Sequence, residues 1–228
     1  MFVGHYSAAL AGKALKPGIP LWHLFLAVQF VDFVWAFLIM SGVERVRFTP
    51  GFLDASMLDL YYMPFTHSLV ANVIWAALAG VLYGWVWQGK RKWLAGLVMS
   101  GAVFSHWLLD LVAHGPDLAI LFGEPKLGLG LWHSLFWTQL VELGAMLTGA
   151  GLYIWIVKPR GLWPVLAFAI LIMAMVAMQF INHQPVDTPP SVTEFALTAL
   201  FAYTLLTCLA WLTDLAMARQ MNMADETD

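Results

Sequence analysis

Residues 93–113 have the sequence WLAGLVMSGAVFSHWLLDLVA, in which His106 and Asp110 are the ionisable side chains. A stretch of about 20 apolar residues is long enough to cross the hydrocarbon core of a bilayer as a helix. Ionisable groups at that depth are costly, and they usually belong to a functional site. Because residues four apart lie on one helix face, His106 and Asp110 are expected to point the same way. An imidazole and a carboxylate on one face can bind a divalent metal ion or pass a proton between them.

The composition of the whole chain agrees with a membrane protein. Of its 228 residues, 61% are hydrophobic and 11% are charged. Soluble domains are usually about 45–50% apolar and about 25% charged. The net charge is −3 and there is no basic patch, so nothing indicates binding to nucleic acid. The single cysteine, Cys208, excludes a disulfide framework and a cysteine-based metal site. We therefore expect one integral membrane domain that covers residues 1–228.

Six stretches are long and apolar enough to span a bilayer. They are residues 20–42, 64–87, 93–113, 131–157, 162–183 and 194–217. The fold class predicted from them is all-α, as a polytopic membrane protein with six transmembrane helices and a short N-terminal helix. Residues 1–14 are too short to span, and they either lie on the membrane surface or re-enter the membrane.

The basic residues predict how the spans are oriented. With six crossings both ends of the chain share a side, and the loops on that side carry most of the lysine and arginine. Eight basic residues lie there: Lys13, Lys16, Lys90, Arg91, Lys92, Lys158, Arg160 and Arg219. Three lie on the other side: Arg45, Arg47 and Lys126. The positive-inside rule therefore predicts that both termini are cytoplasmic and that the longer loops 43–63 and 114–130 lie outside.

Further ionisable residues fall at a depth similar to that of the His106–Asp110 pair. At about 1.5 Å per helical residue, Asp32 of the first span and His67 at the start of the second share a layer with that pair in the outer half of the bilayer. His5 approaches the same layer if residues 1–13 re-enter. A carboxylate at the depth of Asp32 must be protonated, paired or bound to a metal ion. The residues also fit a purely structural interpretation, in which the hydrogen bond between His106 and Asp110 only helps the helices to pack.

Several of these positions allow more than one role. His67 can be a ligand or can cap an outer helix end, a task that Thr66 or Ser68 can also perform. Glu142, near the middle of the fourth span, can be a ligand, a general base or a structural hydrogen-bonding group. His114 lies one turn beyond Asp110 and can be a ligand or can face the outer loop.

The order of these motifs resembles that of the YdjM-like inner-membrane proteins, a family described as metal-dependent hydrolases. The matching positions are His5, Asp32, Thr66-His67-Ser68 and His106-Trp107-Leu108-Leu109-Asp110. The resemblance covers roughly residues 1–125 and implies a bacterial inner-membrane location and hydrolase activity.

Two departures from the family pattern concern ligands. The family's Pro-Asp-x-Asp is here Val31-Asp32-Phe33-Val34, and its His-Arg-Gly before Thr-His-Ser is here Tyr62-Met63-Pro64. One carboxylate and one histidine are thereby lost, which favours a one-metal site.

The sequence thus predicts a metal-dependent hydrolase embedded in the membrane. The expected ligands are His67, His106 and Asp110, with Asp32 and His5 as further candidates. Such a set suits Zn²⁺ and also admits Mn²⁺ or Fe²⁺. Asp32 or Glu142 is the expected general base. The expected partners are membrane lipids and an amphiphilic, lipid-like substrate that is cleaved near the outer leaflet.

Three other functions remain open at this point. The chain can be a non-enzymatic accessory subunit of a larger membrane complex, recognisable by stable co-purification without bound metal. It can also form a proton or ion pathway from Asp32, Glu142, Asp110 and His106. A haem protein with axial histidines is a weaker alternative, since haem does not need the aspartate four residues after the histidine.

Overall fold

The structure, a computed structural model, describes residues 1–184, 186 and 188–225, with side chains described up to residue 218. Seven α-helices dominate the described residues: α1 (His5–Leu15), α2 (Leu21–Met40), α3 (Leu69–Val86), α4 (Lys92–Ala113), α5 (Leu135–Val157), α6 (Leu162–Asn182) and α7 (Val192–Asp225). In this part of the chain, α2 to α6 and residues Val192–Ala218 of α7 are the six segments long and apolar enough to cross a membrane. The all-α class, the six membrane-spanning helices and the short N-terminal helix predicted from the sequence are therefore confirmed.

Two helices begin later than their apolar stretches do, because a serine caps each of them. The Ser68 side chain accepts a hydrogen bond from the Ala71 amide, so α3 begins at Leu69 although the apolar stretch begins at 64. The Ser134 side chain caps α5 in the same way, after a short 3-10 helix at Leu131–His133. An N-cap serine satisfies an amide that has no partner within the helix. His67 is therefore left outside α3, and its ring does not cap the helix.

The connections predicted as outer loops contain two β-ribbons. The antiparallel strands β1 (Arg45–Leu53) and β2 (Ser56–Tyr62) form the first ribbon. The strands β3 (Leu118–Ala119) and β4 (Lys126–Leu127) form the second. The first ribbon packs its apolar side against the ends of the helices, where Val46 and Leu60 join a cluster of buried tryptophans. We call this the ribbon end of the bundle, and the opposite end, at Lys90–Lys92, the basic end.

Helix α1 lies inside the bundle, so of the two positions that the sequence allowed, the interior one is observed. His5, Tyr6 and Leu10 are fully buried. A Cβ built on Gly149 of α5 would lie 2.9 Å from the Ser7 carbonyl oxygen, which shows how closely α1 and α5 pack. The helix runs from the ribbon end toward the basic end, where the connection that follows it lies near Trp87.

Helices α3 and α4 also pack closely, and this contact positions the residues at their ribbon ends. A Cβ added to Gly96 would lie 2.5 Å from the Gly80 carbonyl oxygen, and one added to Gly80 would meet Ser100. Small residues at such spacing let membrane helices approach each other. The start of α3 is thereby held beside the last turns of α4, so His67 faces His106 and Asp110.

Candidate metal centre

Four side chains from three parts of the fold meet at the ribbon end. His67 Nε2 lies 3.2 Å from Asp32 Oδ1 and 3.6 Å from Asp110 Oδ2. His106 Nε2 lies 3.4 Å and 3.1 Å from the same two oxygens. Two ligands of one tetrahedral ion at about 2.0–2.1 Å are about 3.3 Å apart. The nitrogen and oxygen atoms therefore have the spacing of neighbouring ligands around one metal ion.

His5 reaches the same cluster from α1. Its ring stacks on that of His106, with 3.9 Å between the centroids and 7° between the planes. His5 Nε2 lies 3.1 Å from Asp110 Oδ1. His5 also offers a donor atom within 4.8 Å of donors from Asp32 and His106, as His67, His106 and Asp110 do among themselves. The structure thus brings together all five residues that the sequence suggested as ligands.

The hydrogen bonds of His106 fix which of its nitrogens is free to bind metal. His106 Nδ1 lies 2.7 Å from the Val28 carbonyl oxygen. A carbonyl only accepts, so Nδ1 must carry a hydrogen, and in the neutral imidazole Nε2 presents its lone pair. This buried Nε2 has no hydrogen-bond partner among the described residues. Metal-binding histidines usually hold their second nitrogen in this way.

His67 is oriented by a relay that ends on a buried carboxylate. The Thr66 hydroxyl donates to Glu44 Oε2 at 2.5 Å, so its oxygen can accept a hydrogen bond from His67 Nδ1, which lies 2.8 Å away. Glu44 is 1% exposed and also accepts from the amides of Phe65 and Thr66. His67 Nε2 is therefore the atom that faces Asp32 and Asp110.

His114, which the sequence left open, also faces the cluster. Its Nδ1 lies 2.9 Å from Asp117 Oδ1, and its Nε2 lies 3.4 Å from Asp110 Oδ1. Burial lowers the pKa of this imidazole, but the carboxylates of Asp110 and Asp117 outweigh that effect and raise the pKa to about 9. A metal ion bound at His114 would have to displace the proton that this pKa implies at neutral pH.

Glu142 holds the start of the chain beside the cluster. Its Oε2 accepts hydrogen bonds from the amides of Phe2 at 2.8 Å and Gly4 at 3.2 Å. Gly4 has no room for a side chain, because a Cβ there would lie 2.6 Å from Met1 Sδ. The Met1 amino group in turn lies 2.5 Å from Asp110 Oδ1. Glu142 thus positions residues 1–4, while Asp32, the other suggested general base, lies among the histidines.

The cluster is enclosed by aromatic side chains. Trp107 Nε1 donates to the His67 carbonyl at 3.1 Å, Trp35 packs edge-on to His67, and Trp132 stacks on His114. Two of the surface cavities lie beside the first ribbon and between α1 and α4, and no residue of the cluster lines either of them. His67, His106 and Asp110 are at most 4% exposed, so these side chains are shielded from bulk water in this conformation.

Sequence reasoning missed Glu44 and Asp117. Both follow a helix end directly, in segments with other polar residues, where an acidic side chain is usually solvated. Only the fold shows that each one fixes a histidine.

No family model, curated protein or solved structure matches the chain. The resemblance to the YdjM-like family stays a prediction, and the geometry of the cluster carries the functional argument.

Proposed function

We propose that the protein is a membrane-embedded, metal-dependent hydrolase that acts on an amphiphilic, lipid-like substrate near the outer leaflet. Zn²⁺ is the metal that the mixed imidazole and carboxylate donors favour, and Mn²⁺ or Fe²⁺ also suits them. One observation carries the proposal: the Nε2 atoms of His67 and His106 alternate with oxygens of Asp32 and Asp110 at 3.1–3.6 Å.

The surroundings of the cluster support a metal ion over a simple packing role. Each of the two histidines has its Nδ1 anchored to an acceptor, so both Nε2 atoms point inward. Buried carboxylates need a cation. Asp110 has the Met1 amino group beside it, whereas no lysine or arginine among the described side chains pairs with Asp32. A hydrogen bond between His106 and Asp110 alone would not require His67 and Asp32 to converge on the same point.

The proposed chemistry divides between the ion and Asp32. When bound, a divalent ion would polarise the ester or phosphoester and lower the pKa of a water molecule to about 7. Asp32 Oδ1 faces the two histidines, while its Oδ2 accepts a hydrogen bond from Gln29 Nε2 at 2.6 Å. We assign Asp32 as the general base that takes the proton from water, and Gln29 as the residue that orients it.

The membrane setting supports the substrate class. Helices α3 and α5 expose large apolar side chains along their outer faces, such as Val73, Trp85 and Trp155. A closed site inside such a bundle is more accessible to a molecule that moves laterally in the lipid than to a polar solute. The polar group of the substrate would then lie at the cluster and its acyl chains between helices.

The first experiment measures metal and hydrolysis on the same detergent-purified protein. Elemental analysis of the wild type should find bound zinc, and His106→Ala and Asp110→Asn should lose most of it. Amphiphilic ester and phosphoester substrates should be hydrolysed by the wild type, inhibited by a chelator and restored by zinc. Asp59→Asn is the matched control, because Asp59 pairs with Arg47 on the first ribbon. Full metal content in both cluster variants would contradict the proposal.

The side of the membrane is tested separately. Reporter fusions in the loop at Lys90–Lys92 should give a cytoplasmic signal, and fusions near residue 120 should report the opposite side. The reverse result would place the cluster in the inner leaflet and move the proposed substrate with it.

The closed cluster also favours a second candidate function, an accessory subunit in which a metal ion has only a structural role. Structural zinc sites take all their ligands from protein, whereas catalytic sites keep one position open. Zinc at full occupancy, no hydrolysis of any amphiphilic substrate and stable co-purification with a membrane partner would support this candidate.

A further inference from the structure

We infer that the cluster holds two divalent metal ions, with Asp110 as the carboxylate that bridges them. This inference rests on the metal site proposed above and adds a second subsite formed by His5 and His114. The ion at the first subsite would be bound by His67, His106 and Asp110 Oδ2, with Asp32 beside it as the general base.

The two oxygens of Asp110 face two different sets of donors. Oδ2 lies near His106 Nε2 at 3.1 Å and His67 Nε2 at 3.6 Å. Oδ1 lies near His5 Nε2 at 3.1 Å and His114 Nε2 at 3.4 Å. A carboxylate that binds a single ion does not need four imidazoles divided between its oxygens. Ions that share such a bridge lie about 3.5–4 Å apart.

The donors on the Oδ1 side are arranged for a cation. Neither ring nitrogen of His5 has a hydrogen-bond partner among the described residues, although the side chain is fully buried. His114 has its Nδ1 anchored to Asp117, so its Nε2 points to Asp110. The Met1 amino group also lies beside Oδ1, which shows that this side of the carboxylate accommodates positive charge. A metal ion at this subsite would replace the ammonium as the counter-charge.

The balance of buried charge is compatible with divalent ions at the cluster. Four carboxylates are less than 9% exposed, and all belong to the cluster or hold its neighbours: Asp32, Glu44, Asp110 and Glu142. Over the residues whose side chains are described, Lys13 is the one buried lysine or arginine, and it pairs with Asp214 at the basic end. Glu44 and Glu142 accept hydrogen bonds from backbone amides, and the Met1 amino group lies beside Asp110, so the charge that bound ions would balance is that of Asp32 and Asp110.

A substitution of His114 is expected to affect the second subsite and to leave the first one intact. His5 also lies near Asp32 and His106, so its loss affects both subsites. Among the carboxylates, His114 contacts Asp110 Oδ1 and Asp117, and it makes no contact with Asp110 Oδ2 or Asp32. His114→Ala should therefore remove the second ion and keep the first.

The experiment loads metal-free, full-length protein with Mn²⁺ and measures both the number of bound ions and their magnetic coupling. Wild type should bind two ions per chain and give the electron paramagnetic resonance spectrum of an exchange-coupled pair. His114→Ala should bind one ion and give the spectrum of an isolated ion. His114→Gln keeps much of the side-chain volume and should behave in the same way, which guards against misfolding. His183→Ala is the matched control, since His183 lies at the end of α6, where its Nδ1 is hydrogen-bonded to the Gln179 carbonyl.

The outcomes distinguish this inference from the proposed function. One ion per chain in the wild type, kept in His114→Ala, would overturn the second subsite and leave the first intact. Two bound ions without magnetic coupling would show that Asp110 does not bridge them. A wild type that binds no divalent metal would overturn both proposals together.

Discussion

Two ionic groups within the described part of the bundle differ in whether their charges balance. At the basic end, Lys13 Nζ lies 3.3 Å from Asp214 Oδ1 and donates to the Ile19 carbonyl, and the Trp22 amide donates to Asp214 Oδ2. Each charge there has a partner within the protein. At the ribbon end, Asp110 pairs with the Met1 amino group, but Asp32 faces imidazoles and Gln29, and the described side chains supply no lysine or arginine. A buried pair that is balanced indicates structure, whereas an unbalanced cluster indicates that a cation from outside completes it.

The largest effect should follow the loss of the central carboxylate. Asp110→Asn keeps the shape of the side chain and removes the charge that offsets a metal ion. Zinc at 1,000 times its Kd should stabilise the wild type by about 4 kcal/mol, seen as a rise in Tm, and should leave the variant nearly unchanged. A zinc-dependent rise of equal size in both proteins would remove Asp110 from the site.

Breaking the Lys13–Asp214 pair should lower stability and leave zinc binding unchanged, which is the opposite of the effect expected for Asp110→Asn. Asp214→Asn leaves Lys13 buried without its counter-charge, which should lower the free energy of unfolding by about 3 kcal/mol. The bound zinc per folded chain should stay at the wild-type value. The double variant Lys13→Met, Asp214→Leu should recover most of the stability, because replacing a buried pair by apolar residues is often neutral. A loss of zinc in Asp214→Asn would mean that the two groups are coupled.

A smaller effect should come from the carboxylate behind Thr66. Glu44→Gln keeps the side-chain length but weakens the relay that orients His67, so zinc should bind about 10–100-fold more weakly. A competition titration with a chromogenic chelator measures this change. Asp59→Asn, an acidic residue on the first ribbon, is the control and should bind zinc as the wild type does. Equal zinc affinity in all three proteins would show that Glu44 only accepts hydrogen bonds from the backbone amides and does not orient His67.

The smallest effect concerns the cap of α3. Ser68→Ala removes the acceptor for the Ala71 amide and should lower the free energy of unfolding by about 1 kcal/mol. Since His67 is held by Thr66 and not by the cap, zinc affinity should change little. A large fall in affinity with unchanged stability would show that the cap sets the position of His67.

The sequence predicted the helices and much of the cluster because both depend on local patterns and depth. Apolar length fixed the six spans, and the i, i+4 spacing placed His106 beside Asp110. Depth along the helices brought Asp32 and His67 to the same layer.

The remaining features depend on contacts between residues far apart in the chain. Glu44 meets Thr66 only because the first ribbon folds over the helix ends. Likewise, Glu142 could not be assigned from its position in α5, since its partners are the amides of residues 2 and 4. The ribbons lie in segments that the sequence predicts as the long loops between spans, because their strands show no pattern longer than a few residues.

The interior position of α1 bears on how the site is assembled during synthesis. Residues 5–15 precede the six spans in the chain, yet they pack against α2, α4 and α5, and Gly149 of α5 lies close to Ser7. The place that α1 occupies therefore does not exist until more than half of the chain has been inserted. His5 therefore reaches its place only after α5 has been inserted, although it precedes the other ligands in the chain. The ligands of the first subsite come from α2, α4 and the segment before α3 and can meet earlier, so the second subsite, which needs His5, would be completed last.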